Sequence, residues 1–107
     1  MNWTLWALAF CAFLFDSMIE ACTPCTCRRS VECSGQYADC RQESLTEVPS
    51  TLPIDTCFLN LYSNEFTTIE NTTFSGLSNL EDLFLDGNRI TTIEDNAFSG
   101  VTKLKTL

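Results

Sequence analysis

From Leu59 onward, apolar residues return with a fixed period of twenty-four positions. The segment LNLYSNEFTTIENTTFSGLSNLEDL is followed by LFLDGNRITTIEDNAFSGVTKLKTL, which begins at the last leucine of the first. Nine pairs of positions match in phase: Leu59 with Leu83, Leu61 with Leu85, Asn64 with Asn88, Phe66 with Ile90, Ile69 with Ile93, Phe74 with Phe98, Leu77 with Val101, Leu80 with Leu104, and Leu83 with Leu107. Such a repeat predicts units that stack side by side, because no unit can bury its own apolar face.

Each repeat unit starts with alternating leucines, which predict a short strand with its leucines facing inward. An asparagine follows where the chain must turn, at Asn64 and Asn88. Its amide can satisfy backbone N–H and C=O groups that a tight interior turn would otherwise leave unpaired. Phe74 and Phe98 fall on the return segment, where their rings can stack between units. We therefore predict that these positions form the core, with Asn64 and Asn88 as a structural ladder.

The residues between the inward leucines point to the opposite side of each strand, and they are the candidates for ligand contact. Aromatic side chains are enriched at the centres of binding surfaces, so a patch that combines aromatic and acidic residues is a plausible contact site. The alternative is an ordinary surface with scattered aromatic residues. The candidates are Phe58, Asn60, Tyr62, Asp82, Phe84 and Asp86.

The amino terminus has a different pattern. LWALAFCAFLF, residues 5–15, is an uninterrupted apolar run with the length of a signal-peptide core. A membrane-spanning helix needs about twenty such residues. Ala21 is a small residue at a suitable cleavage position, so we predict a signal peptide at 1–21 and a mature chain that starts at Cys22. One feature departs from the signal-peptide pattern, since no Lys or Arg precedes the apolar run. The alternatives are a buried amphipathic or anchoring helix and a bacterial lipoprotein signal at IEAC, which Glu20 and the missing positive charges disfavour.

Cysteine usage agrees with a secretory route. Cys11 lies in the apolar run, and an even number of cysteines in a short secreted chain predicts disulfides. A thiolate metal site is less favoured, because an oxidising lumen would pair the thiols. Spacing alone does not choose among the possible pairings. The remaining cysteines are Cys22, Cys25, Cys27, Cys33, Cys40 and Cys57.

The composition of the chain excludes several classes of function. The chain has 107 residues, enough for one domain, and it contains no histidine, which removes the commonest general base. Its net charge is −8, and phosphate binding needs a basic surface. We therefore expect no enzymatic activity, no cofactor, no bound metal and no nucleic-acid partner.

The mature sequence resembles extracellular leucine-rich repeat proteins. Cys22, Cys25, Cys27 and Cys40, followed by LTEVPSTLP at 45–53, are similar to the amino-terminal cysteine cap of that family. Such caps occur in toll-like and slit-like proteins, small proteoglycans, glycoprotein-hormone-type receptors and the variable lymphocyte receptors of jawless fish. The resemblance implies an α/β leucine-rich-repeat solenoid fragment. Its short parallel strands would lie on the concave face, with loops or short helical turns on the convex face and a disulfide-bonded cap at the start.

The resemblance also implies two disulfides, Cys22–Cys27 and Cys25–Cys40. A third bridge, Cys33–Cys57, is our hypothesis, and closing that span would stabilise the fold by ~3 kcal/mol. The alternative gives Cys33 the role of the fourth cap cysteine, because VECSG is also similar to that context, and leaves Cys40 to pair with Cys57.

These patterns divide the chain into segments. The last strand pattern is interrupted at Leu107 and no second cysteine cap follows, so we expect an amino-terminal piece of a longer protein. The alternative is a short secreted protein that self-associates through its uncapped carboxy-terminal edge. The expected segments are the signal peptide 1–21, the cap 22–55, repeat 1 at 56–79, repeat 2 at 80–103 and the start of a truncated repeat 3 at 104–107.

Asn71-Thr72-Thr73 is a glycosylation sequon in the predicted mature chain, and it falls away from the predicted strands. Asn2-Trp3-Thr4 fits the same motif but lies within the predicted signal peptide. We expect a glycan at Asn71, which would leave the strand face open.

The resemblance implies a secreted or extracellular recognition module, either a receptor ectodomain or a secreted binder. Its concave face would bind a protein or glycan ligand. The alternative is a structural matrix protein without a dedicated signalling ligand.

Overall fold

The structure is a computed structural model that describes the backbone of residues 19–107 and the side chains of residues 22–107. The predicted signal peptide at 1–21 therefore lies largely outside the described residues, as do Cys11 and the sequon at Asn2.

Within residues 19–107 the chain forms seven short strands. They build a five-stranded sheet in the order β1-β2-β3-β4-β6 and a two-stranded sheet of β5 and β7. The strands are β1 (Ile19–Cys22), β2 (Cys25–Arg29), β3 (Gln36–Asp39), β4 (Thr56–Asn60), β5 (Thr68–Ile69), β6 (Asp82–Phe84) and β7 (Thr92–Ile93).

The same residues contain no helix, so the α component of the expected α/β class is not found in the described chain. The return segment of each repeat consists of turns instead. In the first repeat, the N–H groups of Thr73, Ser75 and Leu77 donate to carbonyls three residues earlier, which closes turns without starting a helical ladder. No helix in the described part of the chain is long and apolar enough to cross a membrane.

The two repeats lie side by side, as their period predicts. Strands β4 and β6 pair in parallel with Leu59 opposite Leu83, and β5 and β7 pair in parallel with Ile69 opposite Ile93. On the return side, the rings of Phe74 and Phe98 stack with their centroids 5.7 Å apart. The predicted contact between these rings is confirmed.

The cap continues the sheet of the repeats. Strand β3 pairs in parallel with β4, so it occupies the place that a preceding repeat would fill. Strand β2 then runs antiparallel to β3. One inward-facing residue from each of the four strands is fully buried in a single registered row. This row consists of Cys27, Ala38, Leu59 and Leu83.

Burial differs between the two repeats although their residues match. Ile69 is fully buried, whereas the equivalent Ile93 is 56% exposed. Leu61 is fully buried, whereas Leu85 is only partly buried. The first repeat is covered by the cap on one side and by the second repeat on the other, while the second has one covered side in the described chain.

The turn asparagines bond to two successive units. Asn64 Oδ1 accepts hydrogen bonds from the N–H groups of Glu43 and Leu45, and its Nδ2 donates to the carbonyls of Cys40 and Leu61. Asn88 links its own turn to the previous one in a similar way, with the partners Phe66, Leu61 and Leu85.

Substituting Gly35 by alanine is expected to lower the free energy of unfolding by about 2 kcal/mol, as crowding in a packed interior does. Gly35 is buried, and an added Cβ would clash with the backbone carbonyl oxygen of Asp55. That oxygen also accepts a hydrogen bond from the N–H of Gln36 at 3.0 Å, so it is not free to move. The matched control is Gly100→Ala, since a Cβ there meets nothing within 4 Å. Equal urea midpoints for the two variants would contradict the expectation.

Candidate ligand-binding face

The side of the five-stranded sheet opposite the buried row is here called the open face. Strand alternation places every second side chain on it. Four of these residues are direct neighbours across β2, β3, β4 and β6, and we call them the Arg28 row. The Arg28 row consists of Arg28, Tyr37, Phe58 and Asp82.

Aromatic rings dominate the centre of the open face. Tyr37 and Phe58 stack with their centroids 4.4 Å apart and their planes inclined by 20°. Phe84 packs at an angle against Phe58, with a centroid distance of 5.1 Å. The guanidinium carbon of Arg28 lies 4.6 Å from the centre of the Tyr37 ring, within the range of a cation–π contact. All three rings are partly buried and retain exposed surface.

The structure brings the six predicted contact residues onto this one face. Phe58 lies opposite Asp82, and Asn60 lies opposite Phe84. Tyr62 and Asp86 follow two residues beyond the second pair, and both are exposed. The side chain of Asn60 is not fully available, because its Oδ1 accepts a hydrogen bond from the N–H of Tyr62.

Sequence reasoning missed Tyr37 and Arg28, which belong to the cap. The signal was present in QYADC, where outward Tyr37 alternates with inward Ala38 and Cys40. In the repeats, leucines occupy the inward positions. Because alanine and cysteine replace them in the cap, the same period-two pattern is difficult to read as a strand.

A charge pair sits beside the aromatic rings. Arg41 donates two hydrogen bonds to Asp39, from Nε at 2.9 Å and from Nη2 at 2.8 Å. The side-chain hydrogen bond from Arg41 is the main cause that lowers the pKa of Asp39 below its ordinary value. The pair therefore stabilises the fold above the ordinary carboxyl pKa, and this contribution is lost as the pH falls through the lowered value. The effect is small because Arg41 is solvent-exposed.

The six cysteines from Cys22 onward all lie in disulfides: Cys22–Cys27, Cys25–Cys40 and Cys33–Cys57. The first two lie inside the cap, and the third ties the loop at 30–35 to strand β4. The alternative pair, Cys40 with Cys57, is not formed. Among the described side chains, no group of His, Cys, Asp or Glu is arranged to bind a metal ion.

A groove of about 360 Å³ opens at the cap end of the open face. It is lined by Tyr37 and Phe58, by Arg28 and Arg29, and by residues 30–32 of the following loop, where Val31 is fully exposed. The sequon residue Asn71 is also exposed, but it belongs to the return segment between β5 and β6. The groove and the sequon therefore occupy different parts of the molecule.

Comparison with known proteins agrees with this architecture. A family profile described as leucine rich repeat matches residues 58–107. The chain is 36% identical over 59 residues to biglycan from Xenopus laevis, and 34% identical over 61 residues to asporin from Bos taurus. It is 38% identical over 60 residues to leucine-rich repeat-containing protein 4B from Mus musculus. Residues 58–107 belong to the leucine-rich repeat family.

These matches cover 54 to 57% of this chain but only 8 to 16% of the relatives. The leucine-rich repeat profile starts at Phe58, so it includes Phe58 and Asp82 but not Tyr37 or Arg28. Half of the Arg28 row therefore lies in the cap, outside the matched repeats.

Proposed function

We propose that this protein is an extracellular recognition module that binds a protein ligand on its open face. In this proposal, the repeats form part of a leucine-rich-repeat solenoid, and the open face is its concave face. The observation that carries the proposal is the cluster of three partly exposed aromatic rings, Tyr37, Phe58 and Phe84, at the centre of a sheet face.

The surroundings of the rings support the same function. Binding surfaces combine a packed aromatic centre with a polar rim. Here the rim contains Arg28, Asp82 and Asp86. A glycan at Asn71, which we also propose, would extend from the return segment and leave the open face accessible. Leucine-rich repeat proteins are typically binding modules, and this face offers aromatic packing and charge for that purpose.

The proposed segment boundaries remain those read from the sequence. Cleavage after Ala21 would remove three of the four residues of β1 and leave the cap to start at Cys22. At the other end, Thr106 forms a parallel bridge with Asp82, which supports the start of a third strand at 104–107. A further repeat, or a second copy of the chain, would cover Ile93 and Leu107, which are exposed.

Removal of an open-face aromatic residue is expected to weaken ligand binding by about tenfold or more, because aromatic residues at the centre of a contact carry most of its energy. A dimeric form of the secreted protein would be screened against a panel of extracellular domains. Any binder would then be titrated with wild type, Phe84→Ser and Tyr62→Ser. The control is Asp95→Ser, an exposed position in the turn that follows β7.

The two outcomes separate the proposal from its alternative. Loss of binding in Phe84→Ser, with binding retained in Asp95→Ser, supports recognition by the open face. A structural role without a dedicated ligand predicts that no panel member distinguishes wild type from Phe84→Ser.

A further inference from the structure

We infer that the Arg28 row recognises a ligand segment in which an acidic residue and a basic residue are separated by a short apolar stretch. The inference rests on the proposed function and specifies the chemistry of the partner. Along the row, a cation at Arg28 is followed by the stacked rings of Tyr37 and Phe58, and then by an anion at Asp82.

The two charged ends of the row are available for a ligand. Among the side chains that the structure describes, neither Arg28 nor Asp82 forms an ion pair. Some neighbouring charges are committed to other partners, whereas Glu32, which lines the groove together with Arg28, is in none of the ion pairs of the described residues. The ion pairs in the described residues are Arg29–Asp55, Arg41–Asp39 and Lys105–Glu81.

The residues on which these ends act electrostatically have stronger partners of their own. Arg28 contributes to the lowered pKa of Asp39, but the first cause of that shift is Arg41, which holds both oxygens of the carboxylate. Asp82 contributes to the raised pKa of Lys105, but its first cause is the hydrogen bond to Glu81. Within residues 22–107, a ligand therefore meets a cation at one end of the row and an anion at the other, neither of which is in an ion pair.

Arg28 is what makes the row selective. Without Asp16 and Glu20 of the predicted signal peptide, the mature chain has 14 − 2 = 12 acidic residues against 6 basic ones. A basic ligand is thus attracted to much of the surface, whereas an acidic ligand residue is repelled by most of it. Arg28 offers an acidic residue a favourable position beside the aromatic rings, and complementary charge of this kind determines register and partner choice.

The strand spacing determines how far apart the two ligand charges should be. Neighbouring strands lie about 4.8 Å apart, so the three spacings from β2 to β6 separate Arg28 from Asp82 by about 14 Å. An extended peptide rises about 3.3 Å per residue, so about four residues cover this distance. The ligand segment would cross the strands and lay its apolar side chains on Tyr37 and Phe58.

The groove at the cap end adds an apolar contact next to the acidic position. Val31 is fully exposed on the loop at 30–35, and the disulfide Cys33–Cys57 ties this loop to β4. Glu32 lines the same groove. We therefore expect an uncharged ligand side chain beside Val31 and the acidic one at Arg28.

The test is selection of linear peptides from a display library on the secreted protein and on two charge variants. Wild type is expected to enrich peptides with one acidic and one basic residue about four positions apart. Arg28→Glu should shift the enrichment to peptides with two basic residues, and Asp82→Lys to peptides with two acidic residues. The matched control is Arg89→Glu, an exposed charge reversal outside the strands, which should select the wild-type pattern.

Each variant is first required to show the thermal unfolding and the disulfide map of wild type. The inference is overturned if wild type enriches no paired-charge pattern, or if Arg28→Glu and wild type select the same pattern. Failure here can be told apart from failure of the proposed function. One result would separate them: Phe84→Ser loses the protein ligand, while Arg28→Glu and Asp82→Lys still bind it and enrich the same peptides as wild type. Binding by the open face would then be supported, and the inferred pairing of charges in the ligand would be wrong.

Discussion

Replacing Asn64 by alanine is expected to lower the free energy of unfolding by about 3–4 kcal/mol. The asparagine amide is buried and serves backbone groups of both the cap and the first repeat. Alanine would leave the N–H groups of Glu43 and Leu45 and the carbonyl of Cys40 without this partner. A buried polar group left unpaired costs about 1–3 kcal/mol, and water would relieve only part of this loss.

The matched control is Asn88→Ala, the same substitution one repeat later. Asn88 makes a similar set of bonds, but it is only partly buried, and water can replace its amide more readily. Urea denaturation of both variants should therefore give the lower midpoint for Asn64→Ala. Equal midpoints would show that the difference in burial between the two turns has no energetic consequence.

Replacing both Cys25 and Cys40 by alanine, which removes their disulfide, is expected to lower the free energy of unfolding by about 3 kcal/mol. The loss of a native disulfide from a small secreted domain usually costs about 2–5 kcal/mol. Both cysteines are buried, and the bond joins β2 to the end of β3. The N–H of Cys40 also donates a hydrogen bond to the carbonyl of Asn60 in the first repeat. The disulfide therefore holds in place a residue through which the cap contacts that repeat. A cap of this size has little apolar core, and covalent links replace part of the missing burial.

The measurement is urea denaturation of the secreted double variant and of wild type, before and after complete reduction. Under oxidising conditions the variant should unfold at lower urea. After reduction the two proteins should differ little, because the same cross-link is then absent from both. A variant as stable as unreduced wild type would mean that Cys25 and Cys40 are not joined, and peptide mapping without reduction would then identify their partners.

The repeat period predicted which residues of the two repeats lie opposite one another. Leu59 pairs with Leu83 and Ile69 with Ile93, because equal spacing between identical positions allows the two units to stack in parallel only in this register. It also predicted the side on which Phe58 and Phe84 would lie, since strand alternation is a local property. The α part of the fold class was not found in the described residues, because the return segments close as successive turns.

The cap side of the candidate site was not predictable in the same way. Residues 36–39 do not repeat, and nothing in their spacing indicates that β3 lies beside β4 or that β2 lies beside β3. Arg28 and Tyr37 enter the binding face only through these pairings. The contact between the rings of Tyr37 and Phe58 joins residues 21 positions apart in the chain, and Arg28 adjoins the rings through its contact with Tyr37.

The sequence by itself determined the repeat, its register, the inward leucines and the outward aromatic residues, because each depends on periodicity along the chain. Tertiary structure alone decided that Tyr37 completes the aromatic row, that Arg28 and Asp82 stand at its two ends, and that Ile69 is buried while its equivalent Ile93 is exposed. The physical reason is that burial and side-chain contact depend on which strand lies next to which, and identical local sequences acquire different surroundings when only one of them is covered on both sides.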